Sequence, residues 1–178
     1  LRALTDAGLD LAAAAGQIEF RLAVGADQFS GIAKLRAARR LWVRVTEVCG
    51  AAQPQQQHAI TSKAMMTRRD PWVNLLRTTI ACFAAGTGGA GAITVLPFDD
   101  AIGESDAFAR RIARNTQALL LDESNLGRVA DPGGGSWYVE SLTEQLAQQA
   151  LAWFQAIARA GGRQAALDSG LVAERLGA

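Results

Sequence analysis

Apolar and polar residues alternate with period two over residues 18–24, where Ile18, Phe20 and Leu22 are set against Glu19 and Arg21. That alternation predicts a strand, and Gly25 closes it. The alanine-rich residues 1–15 before it predict one helix. Asp27 then stands where a helix cap is wanted, ahead of a helix running to about Cys49. Along that helix Leu35, Ala38, Trp42, Val45 and Cys49 recur every three or four residues as a buried stripe, while Arg36, Arg40 and Arg44 step by four along the other side and predict a solvated face. Residues 50–57 form a loop around Pro54, and residues 58–62 a short strand.

Further along, Asp70-Pro71 predicts a helix start, since Asp can accept free N–H groups and proline suits the first helical position. Val73, Leu76, Ile80 and Phe83 would be that helix's apolar face. Residues 91–96 are a continuous apolar run, as expected of a fully buried parallel strand. Ser105 or Asp106 opens a helix to about Leu121, residues 131–135 turn, and a long helix follows with Val139, Leu142, Leu146, Ala150, Trp153 and Ile157 as its stripe. Gly161-Gly162 ends it and a short helix closes the chain. Strand and helix alternate through the first two-thirds, which argues for parallel βα units. Three strands cannot close an eight-stranded barrel, which typically takes about 250 residues. The α/β pattern therefore predicts an open sheet or the later part of a TIM-type (β/α)8 barrel, and the partial barrel is the preferred expectation.

Composition narrows the function classes. Of 178 residues, 49% are hydrophobic, enough to fill a core. The net charge of +1 recruits neither nucleic acid nor a membrane surface. The two cysteines, Cys49 and Cys82, give no disulfide framework and suit a reducing, cytoplasmic setting. No apolar run approaches the roughly 20 residues of a spanning helix. The first residues lack a signal-peptide pattern and read as a helix already under way, so a portion of a longer protein is expected.

Candidate chemistry is sparse. Residues 86–91, GTGGAG, match GxGxxG letter for letter. That fingerprint requires a strand before the glycines and a helix after them. Here the order is reversed, so the glycines are read as a helix stop. His58, the sole histidine, has no Cys or carboxylate at metal-ligand spacing; a structural role is preferred over acid–base work or substrate hydrogen bonding. Asp99, Asp100, Glu104 and Asp106 could run acid–base chemistry if burial split their pKa values, but acids before a helix also stabilise its positive end. The latter is the preferred reading.

Four stretches carry a resemblance: IAKLRAARRLW (32–42), DPWVNLLRT (70–78), RIARNTQ (111–117) and DPGGGSWYVESLT (131–143). In order and spacing they resemble the methylmalonyl-CoA mutase family of adenosylcobalamin-dependent acyl-CoA mutases. The resemblance covers nearly the whole chain. It implies that residues 1–130 are the C-terminal part of a substrate-binding barrel, and that residues 131–178 are a helical extension leading toward a cobalamin domain. The family interconverts methylmalonyl-CoA and succinyl-CoA by a radical route, with the CoA threaded through the barrel.

The family's catalytic chains show R-x-H-x-Q-T-S-G where this chain reads Gln56 to Lys63. His58, Thr61 and Ser62 match and are the implied substrate-binding candidates. Gln56, Ile60 and Lys63 replace the arginine, glutamine and glycine. The pattern S-L-H-T-N reads Ala92-Ile93-Thr94-Val95-Leu96, without histidine or asparagine, and P-R-L-S-F reads Gly16-Gln17-Ile18-Glu19-Phe20, without arginine. Strand ends that should present polar groups to substrate carry Ile60, Val95, Leu96 and Pro97, which would fill a channel. Each lost partner leaves a buried polar group unpaired at about 1–3 kcal/mol.

The resemblance therefore implies a small, non-catalytic subunit of a heterodimeric mutase, paired with a large catalytic subunit that binds acyl-CoA. The cobalamin motif D-x-H-x-x-G is absent, so adenosylcobalamin is expected on the partner and none on these residues. Two rivals remain at this stage: a catalytic acyl-CoA mutase with altered acyl choice, in which Ile60, Thr94 and Leu96 line an apolar pocket, and an unrelated barrel lyase using His58 and the acids at 99–106.

Overall fold

The computed structural model describes residues 1–177. The predicted first helix is two short ones, α1 (Arg2–Asp6) and α2 (Leu11–Gly16). Gly8, at φ 91°, breaks the run. Asp10 then restarts it by accepting the Ala12 and Ala13 N–H groups at 3.1 and 3.2 Å. Alanine content suggested continuity, and the cap signal inside the segment overrides it.

Strand β1 (Glu19–Val24) follows as expected, and helix α3 (Gln28–Val48) starts where Asp27 accepts the Ser30 amide at 3.2 Å and its hydroxyl at 2.7 Å. Strand β2 (Gln56–Thr61) starts two residues earlier than the pattern suggested. Helix α4 (Val73–Thr87) opens differently from expectation. Asp70 is held at φ 49° and its side chain caps nothing; the chain enters through turns in which the Asp70 and Pro71 carbonyls accept the Val73 and Asn74 amides. Strand β3 (Ala92–Thr94) is only three residues long. It is not the fully buried strand predicted, because only Ile93 turns toward the core.

Helix α5 (Ala107–Asp122) is capped by Asp106, whose Oδ1 accepts the Ala109 amide at 2.7 Å. Helix α6 (Trp137–Arg159) ends at Gly161-Gly162, and two short helices close the chain, α7 (Arg163–Asp168) and α8 (Leu171–Leu176), where one was expected.

The sheet is parallel in the order β1-β2-β3. Period-two alternation puts Val24, Ala59 and Ile93 on one face, packed with Ile32 and Leu35 of α3 and Ala81, Ala84 and Ala85 of α4. Beneath β3, Cys82, Val95, Ala113 and Leu120 extend the same layer to α5. Helices α3, α4, α5 and α6 thus lie on one side of the sheet, and the other face carries Glu19, Arg21, His58, Ile60 and Thr94. The structure is an α/β unit of strand–helix repeats with a one-sided core.

Glycines 86–91 behave as a helix stop. A Cβ at Gly86 would lie 2.4 Å from the Leu126 side chain, and one at Gly88 2.8 Å from Leu35, while Gly89 takes φ 77°. These positions let side chains from α3 and from the loop after α5 close on the end of α4, and no phosphate cradle is formed.

Three helix faces differ from the periodicity reading. On α3 only Leu35 of the predicted stripe is buried; Ala38, Trp42 and Val45 are half-buried and Cys49 is exposed, while Ile32, Ala33, Ala37 and Thr46 are buried instead. On α4 the buried positions are Asn74, Thr78, Ala81, Cys82, Ala84, Ala85 and Thr87, whereas Leu76 and Ile80 are exposed. On α6 the buried line is Val139, Thr143 and Ala147, with Leu142 and Leu146 only half-buried and Ala150 exposed. On α4 these positions face the sheet, α3 and α5, and on α6 Val139 faces α3.

The arginine row is the largest correction. Arg36 bonds Glu140 at 2.7 Å and Asp131 at 3.1 Å, and Arg40 pairs with Glu144. Positions 36 and 40 thus match 140 and 144, so α3 and α6 run parallel with their charges in step. Arg36, its side chain 12% exposed, is drawn into a helix–helix seam, and the four-residue spacing to Arg40 is matched by the acids across it. Arg40 and Arg44 stay solvent-exposed as predicted, Arg44 with Glu47 at 3.7 Å.

Candidate functional site

The inner face of the sheet is where a barrel enzyme would hold substrate. Its residues sit in rows fixed by the parallel register: Glu19 beside Gln56, Arg21 beside His58 and Ala92, and Ala23 beside Ile60 and Thr94. Arg21 Nε donates to Glu19 Oε1 at 3.0 Å, and His58 Nδ1 lies 3.6 Å from the same oxygen. The other ring nitrogen, His58 Nε2, is 2.8 Å from Thr94 Oγ1. The Glu19 carboxyl is held below the ordinary carboxylate range, first by the Arg21 hydrogen bond and then by the charges of Arg21 and His58.

The other two retained motif residues are equally committed. Thr61 is buried and its Oγ1 accepts the Leu96 amide at 2.8 Å, pinning the exit of β3 to β2. Ser62 Oγ accepts the Ala64 amide at 3.2 Å and caps the one-turn 3-10 helix Lys63–Met65. Lys63, standing where the family pattern has glycine, pairs with Asp100 at 3.1 Å. His58 and Thr61 on β2 and Ser62 just after it therefore do not converge on one point, and each makes a hydrogen bond within the chain.

Of the residues expected to fill the channel, Ile60 does lie on the inner face opposite Thr94. Val95 does not. It is buried against Cys82 and Ala113 on the helix side, because the chain leaves β3 at Thr94 and the alternation carries Val95 outward.

Three of the four acids at 99–106 do structural work. Asp106 caps α5, Asp99 Oδ2 accepts the Asp106 amide at 3.3 Å, and Asp100 holds Lys63. Sequence reasoning missed the partnership of Glu19, Arg21 and Thr94 with His58. Its signal was present, since the same alternation that puts Phe20 and Leu22 on the helix side sends Glu19 and Arg21 to the face that His58 shares. Among the described residues no group of three or more His, Cys, Asp or Glu side chains could hold a metal ion, and no helix is long and apolar enough to cross a membrane.

The family model described as methylmalonyl-CoA mutase matches residues 1–178. The chain belongs to the methylmalonyl-CoA mutase family. It is 64% identical over 180 residues to the methylmalonyl-CoA mutase small subunit of Streptomyces virginiae, covering 100% of this chain and 29% of that protein. To the small subunit of Propionibacterium freudenreichii subsp. shermanii it is 48% identical, covering 94% of this chain and 27% of the relative. The large subunit of Porphyromonas gingivalis is also similar, at 38% identity over 96% of this chain and 24% of that protein. The chain thus spans under a third of the length of the curated relatives it matches.

Proposed function

We propose that this chain is part of the small, non-catalytic subunit of a cytoplasmic methylmalonyl-CoA mutase, an isomerase whose large subunit interconverts methylmalonyl-CoA and succinyl-CoA. In this reading residues 1–130 are the closing βα units of a (β/α)8 barrel, and residues 131–178 lead on toward a cobalamin domain. The one-sided core supports the barrel. Helices on a single face are what a closed sheet requires, whereas an open parallel sheet is covered on both.

The observation that carries the functional reading is Ile60, an apolar side chain on the inner face where the family pattern has glutamine, in one row with Ala23 and Thr94. A substrate carbonyl or carboxylate arriving there loses the amide donor a glutamine would offer, and His58 Nε2 is already engaged by Thr94. The role left to the chain is to support a heterodimeric partner.

Adenosylcobalamin supplies the radical chemistry of the holoenzyme. The residues of this chain do not suit it: the one imidazole is held between Thr94 and Glu19, on a strand, leaving no nitrogen directed at a metal. The cofactor belongs to the large subunit. The decisive experiment is calorimetric titration of succinyl-CoA into the full-length small subunit, alone and with the large subunit. Binding only in the complex is expected. Micromolar binding by the isolated subunit would refute the reading and favour a catalytic chain of altered acyl choice.

A further inference from the structure

We propose that the inner face carries an oxyanion subsite, made by Arg21 and His58, which Glu19 fills from within the chain. The inference rests on the barrel reading, since a closed barrel is what turns this face into a channel. Its ground is the convergence of two groups from neighbouring strands on one oxygen. Arg21 Nε is 3.0 Å from Glu19 Oε1, a hydrogen bond, and His58 Nδ1 is 3.6 Å from it, an ion-pair distance once the ring is protonated.

Thr94 holds the far side of the imidazole at 2.8 Å, so the ring is aimed rather than free. Arg21 and His58 are direct partners in the β1–β2 register, which fixes their separation by the sheet itself. Ala23, Ile60 and Ala92 share the face and bring no polar group to the oxygen, while Gln56 is the register partner of Glu19 and the one further polar side chain beside it. A guanidinium and an imidazole closing on one oxygen are donors of the kind that take a carboxylate or a phosphate.

The carboxylate of Glu19 therefore stands in for a ligand anion. Its depressed pKa fits that role, because the group stays charged and keeps both partners engaged. Where the family's catalytic pattern has serine, a short neutral side chain would leave the oxygen position open. Glutamate both closes the space and neutralises the donors. The chemical class the subsite would accept is the oxyanion of an acyl-CoA, from its acyl carboxylate or from the phosphates of its nucleotide.

The test uses the full-length small subunit, wild type and Glu19→Ser, titrated with succinyl-CoA and separately with CoA. The variant is expected to bind succinyl-CoA at least about tenfold more tightly than wild type, the worth of one charge-assisted hydrogen bond. Loss of that gain in Glu19→Ser/Arg21→Gln is the second expected result. A gain confined to succinyl-CoA assigns the subsite to the carboxylate, and an equal gain with CoA assigns it to a phosphate. Glu19→Gln keeps the shape and removes the charge, so a smaller gain of the same sign is expected even if the serine variant folds poorly. Native-like variants that bind no better than wild type would overturn the subsite and leave the small-subunit reading standing. Tight binding by the wild type would remove both.

Discussion

Asn74 offers the sharpest test of how the loops above the sheet are held. The residue is fully buried at the start of α4, and its amide is saturated. Nδ2 donates to the carbonyls of Thr67 and Phe98, both at 2.9 Å, while Oδ1 accepts the Thr67 amide at 3.1 Å and Arg77 Nη1 at 2.9 Å. One side chain therefore ties the segment after β2 to the segment after β3. Asn74→Ala removes all four bonds. The Phe98 carbonyl is buried and carries its desolvation cost of about 1–3 kcal/mol, whereas the partly buried Thr67 groups and Arg77 can recruit water and lose about 0.5–1 kcal/mol each. The expected destabilisation is about 3 kcal/mol or more. Urea unfolding followed by tryptophan fluorescence reads it, with Trp72, stacked on Phe98 at 4.7 Å between ring centroids, as the local reporter. Asn74→Asp should be no better, because it sets a carboxylate oxygen against two carbonyls. A loss below about 1 kcal/mol for Asn74→Ala would refute the reasoning, since it would mean these groups lose no more than exposed ones do.

The Arg36–Glu140 bond predicts a coupling energy of about 1 kcal/mol in a double-mutant cycle with Arg36→Met and Glu140→Gln, discounted because Glu140 is half-exposed. Independence of the two changes would show that this bond adds nothing to the seam. Burial pushes the Cys82 thiol up from 9.0 to about 11. The folded pKa is raised, so the stabilisation from the neutral thiol is complete below 9.0 and is lost as pH climbs toward 11. Unfolding midpoints of the wild type should fall across that window more steeply than those of Cys82→Ala, and parallel curves would count against the shift.

Where the sequence was legible, one local rule acted alone. Asp27 and Asp106 cap α3 and α5 as their positions suggest, and Gly161-Gly162 stops α6. The family motifs were equally legible, because they are patterns of scaffold residues in fixed order. The reading failed where a distant partner set the outcome. Leu76 and Ile80 look like a core stripe until the neighbours of α4 are known, and those neighbours select the small residues instead. Arg36 looks like part of a solvated row because its acid, Glu140, lies about a hundred residues away in the chain. At the candidate site the three family residues could be matched by letter, yet what each of them bonds depends on Glu19, Thr94 and the Leu96 amide, which only the sheet register brings close.

The seam between α3 and α6 also sets a clock. Arg36 meets Glu140 across 104 residues, so when α3 leaves the ribosome its acidic partner has yet to be made. At about 5–20 residues per second, that interval lasts on the order of 5–20 s. During it the strands and α4 can assemble from contacts close in sequence, while Arg36 and the Ile32 side of α3 wait for α6 to cover them. The last third of the chain then acts as a latch, fastened only when synthesis of α6 is under way. A nascent chain halted before Glu140 would keep the sheet and lose the latch.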